Sequence, residues 1–280
     1  MTGIIDTGGG LRGIYGAGVL DRCLDDSIKF DCCIGVSAGS ANLITYAANQ
    51  RGRTYSFYHD YAFRKEYMSA ENFLKSGSYI DLNYIYGTLS QSGGENPLDY
   101  KEASGYDGIL NFVATDTGTG CPHYFSMQDI PFDDYSVIKA SCCIPLVCRP
   151  VKIDGGEFYD GGVSDPVPID RALELGCDKT VVILTRPTGY RKSGKPEKRA
   201  GLAIKPFNKE ISETLMKSAR QYNEGVKKAL RLQEEGKCLV IAPDDCRGIN
   251  TLTRDRKALH DLYTDGYRDA QAIRRFIGKC

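Results

Sequence analysis

The sequence predicts an α/β fold of three layers, with helices covering both faces of a mainly parallel central sheet, a helical insertion and an appended helical C-terminal part. Three observations carry that expectation. Thr2 to Ile5 reads as a buried strand and Leu11 to Leu24 as a helix, with the glycine-rich GGGLRG of residues 8–13 between them. Phe30 to Val36, FDCCIGV, is a short apolar run rich in β-formers, followed by SAGSANLITYAANQ with helical spacing and small residues at its start. KTVVILT, residues 179–185, has the continuous apolar centre of a strand buried on both faces. Strand and helix alternating in this way imply a parallel sheet with helices on both sides.

The remaining elements follow in chain order. From Arg51 to about Asn96 the alternation lapses and aromatic residues crowd in (Tyr55, Phe57, Tyr58, Tyr61, Phe63, Tyr67, Phe73, Tyr79, Tyr84 and Tyr86), which reads as a mostly helical insertion. Such stripes ordinarily pack as core, and a lining for an apolar substrate channel is the alternative. Strands resume at Ile109 to Thr115 and His123 to Met127. VIKASCCIP reads as a helix stopped near Pro145, and Pro150 to Asp154 and Glu157 to Tyr159 as short β segments. A helix from Ile169 to Leu175 ends at Gly176. Residues 186–206, rich in Pro, Gly and cations, read as an exposed connection. Ile211, Leu215, Ala219, Tyr222, Val226 and Leu230 recur every three or four residues, as in a helix stopped at Gly236. CLVIAP is a last strand, and Leu259 to Phe276 a final helix after Thr253, interrupted or strained near Gly266. The expected division is a catalytic core over residues 1–185, with the insertion at about 51–96, and a basic connection and helical part over residues 186–280 packed on it.

Composition narrows the classes of function. With 280 residues, 41% hydrophobic and 26% charged, the chain can bury a full core and has an ordinary globular balance. Lys plus Arg and Asp plus Glu both total 36, so global charge gives nucleic-acid binding no support. Residues 186–237 hold fourteen Lys or Arg against six Glu and no Asp, a local +8 (14 − 6). That excess suits a solvated face or, alternatively, peripheral contact with an anionic membrane at about 1 kcal/mol per well-placed cation. Eleven cysteines include the adjacent pairs Cys32-Cys33 and Cys142-Cys143 inside apolar runs, which reads as reduced, buried thiols. With no C-x-x-C and three histidines, no metal is expected, and no cofactor either. No stretch approaches the ~18 apolar residues of a membrane span, and the chain enters a strand without a basic leader, so the cytoplasm is the expected compartment.

Two motifs carry chemistry. Gly8, Gly10 and Gly13 have G-x-G-x-x-G spacing, which suits either a bound pyrophosphate or an oxyanion formed during a reaction. The second strand runs into Gly35-Val36-Ser37-Ala38-Gly39, a G-x-S-x-G between strand and helix, where a sharp turn lifts the serine hydroxyl clear of the sheet. A dinucleotide-binding unit needs an acid at the end of that strand, about 20 residues beyond the glycines. Asp31 lies at its start instead, which sets the nucleotide reading far behind. The serine needs a base, and His59, His123 and His260 have no convincing partner motif. Asp160-Gly161-Gly162 follows a strand-like segment and offers a carboxylate at a tight turn. Asp154-Gly155-Gly156 has the same local pattern, and spacing alone does not exclude it.

In this order, GGGLRG, G-x-S-x-G and D-G-G resemble the patatin-like phospholipase family, over about Thr2 to Leu184. The resemblance implies a bacterial-type lipid acyl hydrolase with a Ser-Asp dyad: Ser37 as nucleophile, Asp160 as base, and backbone N–H groups of Gly9 and Gly10, with Gly8 as a further candidate, as oxyanion hole. Arg12, Gly13, Gly35, Gly39, Gly161 and Gly162 support the motifs. The implied substrate is a lipid or small carboxylic ester, cleaved through an acyl-serine. An acyltransferase on the same dyad and a catalytically idle lipid-binding protein are the alternatives. One departure is Asp6-Thr7 before the glycines, which sets Asp6 one residue further from them than in the commoner D-G-G-G. At the first helical turn Arg12 either orients an anionic head group or, as is more usual, braces the loop through Asp6 or another carboxylate. Cys142 and Cys143, with nothing basic beside them, read as inert.

Overall fold

The computed structural model describes residues 1–278; the last two residues of the expected C-terminal part lie outside them. The strands are β1 Thr2–Asp6, β2 Cys32–Val36, β3 Ile109–Asp116, β4 Pro122–Phe125, β5 Val151–Ile153, β6 Gly156–Asp160, β7 Lys179–Ile183 and β8 Cys238–Ile241. The α-helices are α1 Ile14–Asp25, α2 Ala38–Ala47, α3 Arg53–His59, α4 Ala70–Ser76, α5 Tyr100–Ser104, α6 Ser136–Ser141, α7 Ile169–Glu174, α8 Lys195–Ile204, α9 Lys209–Glu234, α10 Arg256–Asp269 and α11 Gln271–Ile277.

One sheet runs β5-β6-β3-β2-β1-β7-β8, with β4 also paired to β3. Successive residues of β1 face opposite layers. Ile4 packs in the cluster with α1, α2 and α10, and Ile5 in the one with α7 and α9. This is the three-layer α/β/α arrangement, and it explains why the central strands are apolar at consecutive positions. The sheet is mixed, with a parallel centre and an antiparallel edge. The pairs β1–β2, β1–β7, β2–β3 and β7–β8 are parallel, whereas β3–β4, β3–β6 and β5–β6 are antiparallel. The outermost antiparallel pair is a tight β5–β6 hairpin whose turn residues, Asp154 (φ 47°) and Gly155 (φ 82°), both take the left-handed conformation that two-residue hairpins need.

Two expectations need correction. The connection after β7 is not simply exposed, because it contains α8, and Gly201 and Ile204 of that helix are buried. Leu202 and Phe207 stay outward at 62% and 86% exposure. Gly266 does not interrupt the final helix. α10 passes through it to Asp269, and the break falls at Ala270 before α11. Gly266 is there for close packing: a Cβ on it would overlap the Tyr15 carbonyl oxygen of α1, and one on Gly18 would overlap the Tyr263 carbonyl oxygen of α10. Gly266→Leu is therefore expected to force the two helices apart and cost about 2–4 kcal/mol. Thermal melting unchanged from the wild type would contradict this contact.

Candidate active site

The glycine turn and the serine elbow are built against one another. β2 ends at Val36, and Ser37 takes φ 57° and ψ −133°, a strained conformation for a residue with a Cβ, before α2 begins at Ala38. The turn lies on the first turn of α2. A Cβ on Gly8 would stand 2.9 Å from the Ala38 nitrogen and 2.8 Å from that of Gly39. Gly8, Gly9 and Gly10 all have positive φ (61°, 126° and 61°), a conformation that glycine takes without strain. The Gly8 N–H is already committed, donating to Asp6 Oδ1 at 2.9 Å, while Leu11 N–H donates to the Thr251 carbonyl at 3.1 Å. The N–H groups of Gly9 and Gly10, between these two, are the ones left for an incoming anion.

Asp160 ends β6, where its backbone is held by the Cys143 carbonyl and by Thr115 Oγ1. Ser37 Oγ donates to Asp160 Oδ2 at 2.6 Å, and Gly162 N–H donates to Oδ1 at 2.7 Å. Both groups are buried, Ser37 at 8% exposure and Asp160 at 6%. Burial raises the Asp160 carboxyl to about 6, opposed by the Ser37 and Gly162 hydrogen bonds and by the charge of Lys192. A carboxylate of that affinity is ionised at neutral pH and is a better proton acceptor than an exposed aspartate.

Several residues that support the pair have no sequence signal. Ser141 Oγ accepts from Ser37 N–H at 3.0 Å and shares a hydrogen bond with Ser40 Oγ, tying the elbow to α6. Asn42 donates to Asp6 Oδ2 at 2.7 Å and to the Gly13 carbonyl, and accepts from Tyr58. Asp6 is wholly buried and its carboxyl is also raised to about 6 by desolvation. Thr185 Oγ1 donates to the Gly8 carbonyl from just beyond β7.

Arg12 behaves differently from the expectation. Asp6 is occupied by Asn42 and Gly8, and among the described residues no carboxylate pairs with Arg12. Its Nη1 reaches Thr251 Oγ1 at 3.5 Å and its buried Nε has no partner. Burial and the charge of Arg186 pull it down to about 10. Gly13, Gly35, Gly39 and Gly161 are close-packed glycines around the elbow and the Asp160 turn, where an added Cβ would crowd Tyr58, Ser40, Asp6 and Val113 respectively. Asp154 sits exposed on the β5–β6 turn, away from Ser37's cavities. His59 and His260 flank Tyr55, and His123 packs on Phe125 and Phe158; none of the three lines those cavities. The thiols of Cys142 and Cys143 are both raised, by burial for Cys142 and by the neighbouring Cys148 and burial for Cys143.

Ser37 lies where two cavities meet. One is apolar, walled by α2, α6 and the insertion, with Ala41, Ile44, Phe57, Tyr67, Ile85 and Ile138 among its residues. Part of the aromatic stripe read as core thus lines a cavity, while Tyr61 does pack as core with Ile85 and Leu89. The other holds Gly8, Gly9, Arg12, Asp160, Arg186 and Lys192, with apolar residues such as Ile144, Val163 and Leu215 also on its walls.

A family model described as patatin-like phospholipase matches residues 7–173, and one described as a domain of unknown function, DUF6363, matches residues 208–279. YjjU of Escherichia coli (strain K12) is 32% identical over 190 residues, covering 66% of this chain and 52% of that protein. The NTE family protein Rv1063c of Mycobacterium tuberculosis (strain ATCC 25618 / H37Rv) is 37% identical over 71 residues, 25% of this chain and 19% of that protein. The chain thus spans about half the length of YjjU and less of Rv1063c. Among solved structures, VipD from Legionella pneumophila has a similar fold, with a TM-score of 0.51 at 13% identity over 97% of this chain and 66% of that one.

Proposed function

The chain belongs to the patatin-like phospholipase family, and from that premise we propose that it is a serine hydrolase that cleaves carboxylic esters of lipids through an acyl-serine on a Ser37–Asp160 dyad. The observation that carries the reading is the 2.6 Å hydrogen bond from Ser37 Oγ to a buried carboxylate, in a cavity that also holds Gly9 and Gly10, whose N–H groups have no partner among the described residues. Ser37 Oγ attacks the ester carbonyl carbon as its proton passes to Asp160 Oδ2. The carbonyl oxygen takes up negative charge against the Gly9 and Gly10 N–H groups, each such donor being worth about 2.7–4 kcal/mol. Collapse expels the alcohol, which takes the proton back from Asp160. Water then gives a proton to Asp160 as its oxygen attacks the acyl-serine carbonyl; collapse of that intermediate releases the carboxylic acid, and Asp160 returns the proton to the departing Ser37 Oγ. The first cavity suits the acyl chain because most of its lining is apolar, and the one cation on it, Arg53, donates through Nη1 and Nη2 to Thr45, Ser90 and the Asn96 carbonyl.

The test is a panel of lipid and soluble esters given to wild type and Ser37→Ala, with released products identified by mass spectrometry. Free fatty acid from the wild type alone supports the reading. Transfer of the acyl group to an added alcohol without free acid would replace hydrolysis by acyl transfer, and no turnover of any ester would leave a lipid-binding role.

The raised carboxyl sets the pH dependence. Asp160 acts as base only when ionised, so kcat/KM is expected to fall about tenfold per pH unit below about 6 and to level off above it. A flat profile between pH 5 and 8 would remove Asp160 from the rate-limiting proton transfer.

A further inference from the structure

We infer that the first cavity selects acyl chains that end in a carboxylate, so that the preferred substrates are half-esters of medium-length dicarboxylic acids, and that Arg53 and Tyr135 hold the far end of the chain. The inference rests on the reading of Ser37 as an acyl-transfer nucleophile with the acyl chain in this cavity.

Among the described residues the walls of this cavity hold one cation, Arg53, and no carboxylate. Arg53 opens α3, and its guanidinium is fixed by three neutral acceptors. Nη1 donates to Thr45 Oγ1 at 3.0 Å, and Nη2 donates to Ser90 Oγ at 2.9 Å and to the Asn96 carbonyl at 3.0 Å. The Phe57 ring centre lies 4.7 Å from it. No carboxylate among the described residues pairs with this guanidinium, and its buried Nε has no partner. Burial pulls the group down to about 10, so at neutral pH it stays charged. Tyr135, just before α6, lines the same cavity at 2% exposure, and its hydroxyl is a second buried group without a partner. The Arg53 charge acts on that hydroxyl, so the two share one end of the cavity.

That end is the one away from the nucleophile. Thr45, which accepts from Nη1, lies eight residues beyond Ser37 on α2, about 12 Å along the helix at 1.5 Å per residue. The wall between them carries Ala38, Ala41 and Ile44, which suits the methylenes of a chain. A chain ending in a methyl group would bring carbon against Arg53 and Tyr135, leaving a buried charge without a counter-ion and a hydroxyl without an acceptor, both unfavourable. A carboxylate there supplies the missing negative charge and can accept from Nε and from the Tyr135 hydroxyl. A terminal hydroxyl would accept the same hydrogen bonds and bring no charge.

The test compares kcat/KM for soluble esters of one alcohol whose acyl groups are decanoyl, ω-hydroxydecanoyl and decanedioyl as its half-ester, with butanoyl and the half-ester of butanedioic acid as a short pair. The wild type is expected to prefer the long half-ester at least about tenfold over the decanoyl ester, the scale of one hydrogen bond to a charged group, with the hydroxy ester between them. The short half-ester, whose carboxylate stays near Ser37, should show no such preference over butanoyl. Arg53→Gln and Tyr135→Phe should each reduce the long-chain ratio about tenfold. Tyr135→Phe removes only an unpartnered hydroxyl, so it decides the matter if Arg53→Gln does not fold. Arg51→Met, an exposed cation paired with Asp25 and lining neither cavity, should leave the ratio unchanged. Equal rates on the long esters, or the same preference in the short pair, would overturn the inference and leave the hydrolase reading standing. A hydroxy ester preferred to the half-ester would make the far end a neutral hydrogen-bonding site, which also overturns it. Hydrolysis of no ester would overturn the reading beneath it.

Discussion

Ser37→Ala and Asp160→Asn are each expected to lower kcat/KM for ester hydrolysis by roughly 10⁴–10⁶-fold, and the double variant by little more than either alone. The two groups share one proton, so removing either stops the same step. Asp160→Asn also carries its own control for folding. Burial raises the Asp160 carboxyl in the folded state to about 6 from an ordinary value near 3.8, so the folded chain holds this proton more tightly than the unfolded one. A group shifted in this direction favours folding at low pH, and that contribution is lost as pH rises from about 4 to about 6. At pH 7.5 the buried charge is therefore a cost of at most about 3 kcal/mol, which asparagine removes. The inactive Asp160→Asn should melt at or above the wild-type temperature at pH 7.5, with the gap closing toward pH 4. Asp154→Asn and alanine at His59, His123 or His260 should leave kcat/KM within a few-fold. Full activity in Asp160→Asn, or loss in Asp154→Asn, would dismiss the dyad.

The second large effect is expected at Gly9. With φ 126° and ψ 38° the position is open to glycine and strained for any other residue, and an alanine Cβ would stand 2.6 Å from Thr185 Oγ1. Thr185 in turn holds the Gly8 carbonyl, so the displaced methyl moves the whole turn. Gly9→Ala is expected to cost 10²–10³-fold in kcat, about what one oxyanion donor contributes, with a smaller change in KM. The comparison variant is Gly155→Ala on the hairpin tip. Gly155 also has positive φ, but nothing lies within 4 Å of its added Cβ. It should lose about 1 kcal/mol of stability and keep its kcat. Equal kcat losses in the two variants would mean that Gly9 matters only through strain.

How far the sequence reaches is clear from the same residues. Ser37 is legible because strand, elbow and helix are consecutive, and the requirement for small neighbours is local. Asp154 and Asp160 are locally indistinguishable, since Asp-Gly serves equally as a hairpin turn and as the end of a catalytic strand. Only the pairing of Ile153 with Gly156 and of Ala114 with Asp160 separates them. That hairpin also contributes to the antiparallel edge of the sheet, and the flanking β segments with an Asp-Gly between them are its signal. Gly266 misleads because a glycine in a helix reads as a break, whereas its reason lies across the interface in α1. Ser141, Thr185, Thr251 and Lys192 reach the site from residues over a hundred positions distant from Ser37 or the turn, through tertiary packing that no local spacing encodes. The aromatic stripe sits between: its residue types foretell burial, but whether a buried ring faces core or cavity depends on the helices opposite it.

The central claim is that Ser37 is a nucleophile activated by Asp160. It is tested most directly by reacting the protein with a fluorophosphonate and locating the adduct by mass spectrometry, in wild type and in Asp160→Asn across pH 5 to 8. The account predicts a single adduct on Ser37, forming with an apparent pKa near 6 in the wild type and at least 10²-fold more slowly in Asp160→Asn. An adduct on another residue, or one on Ser37 whose rate is indifferent to both pH and Asp160, would contradict it.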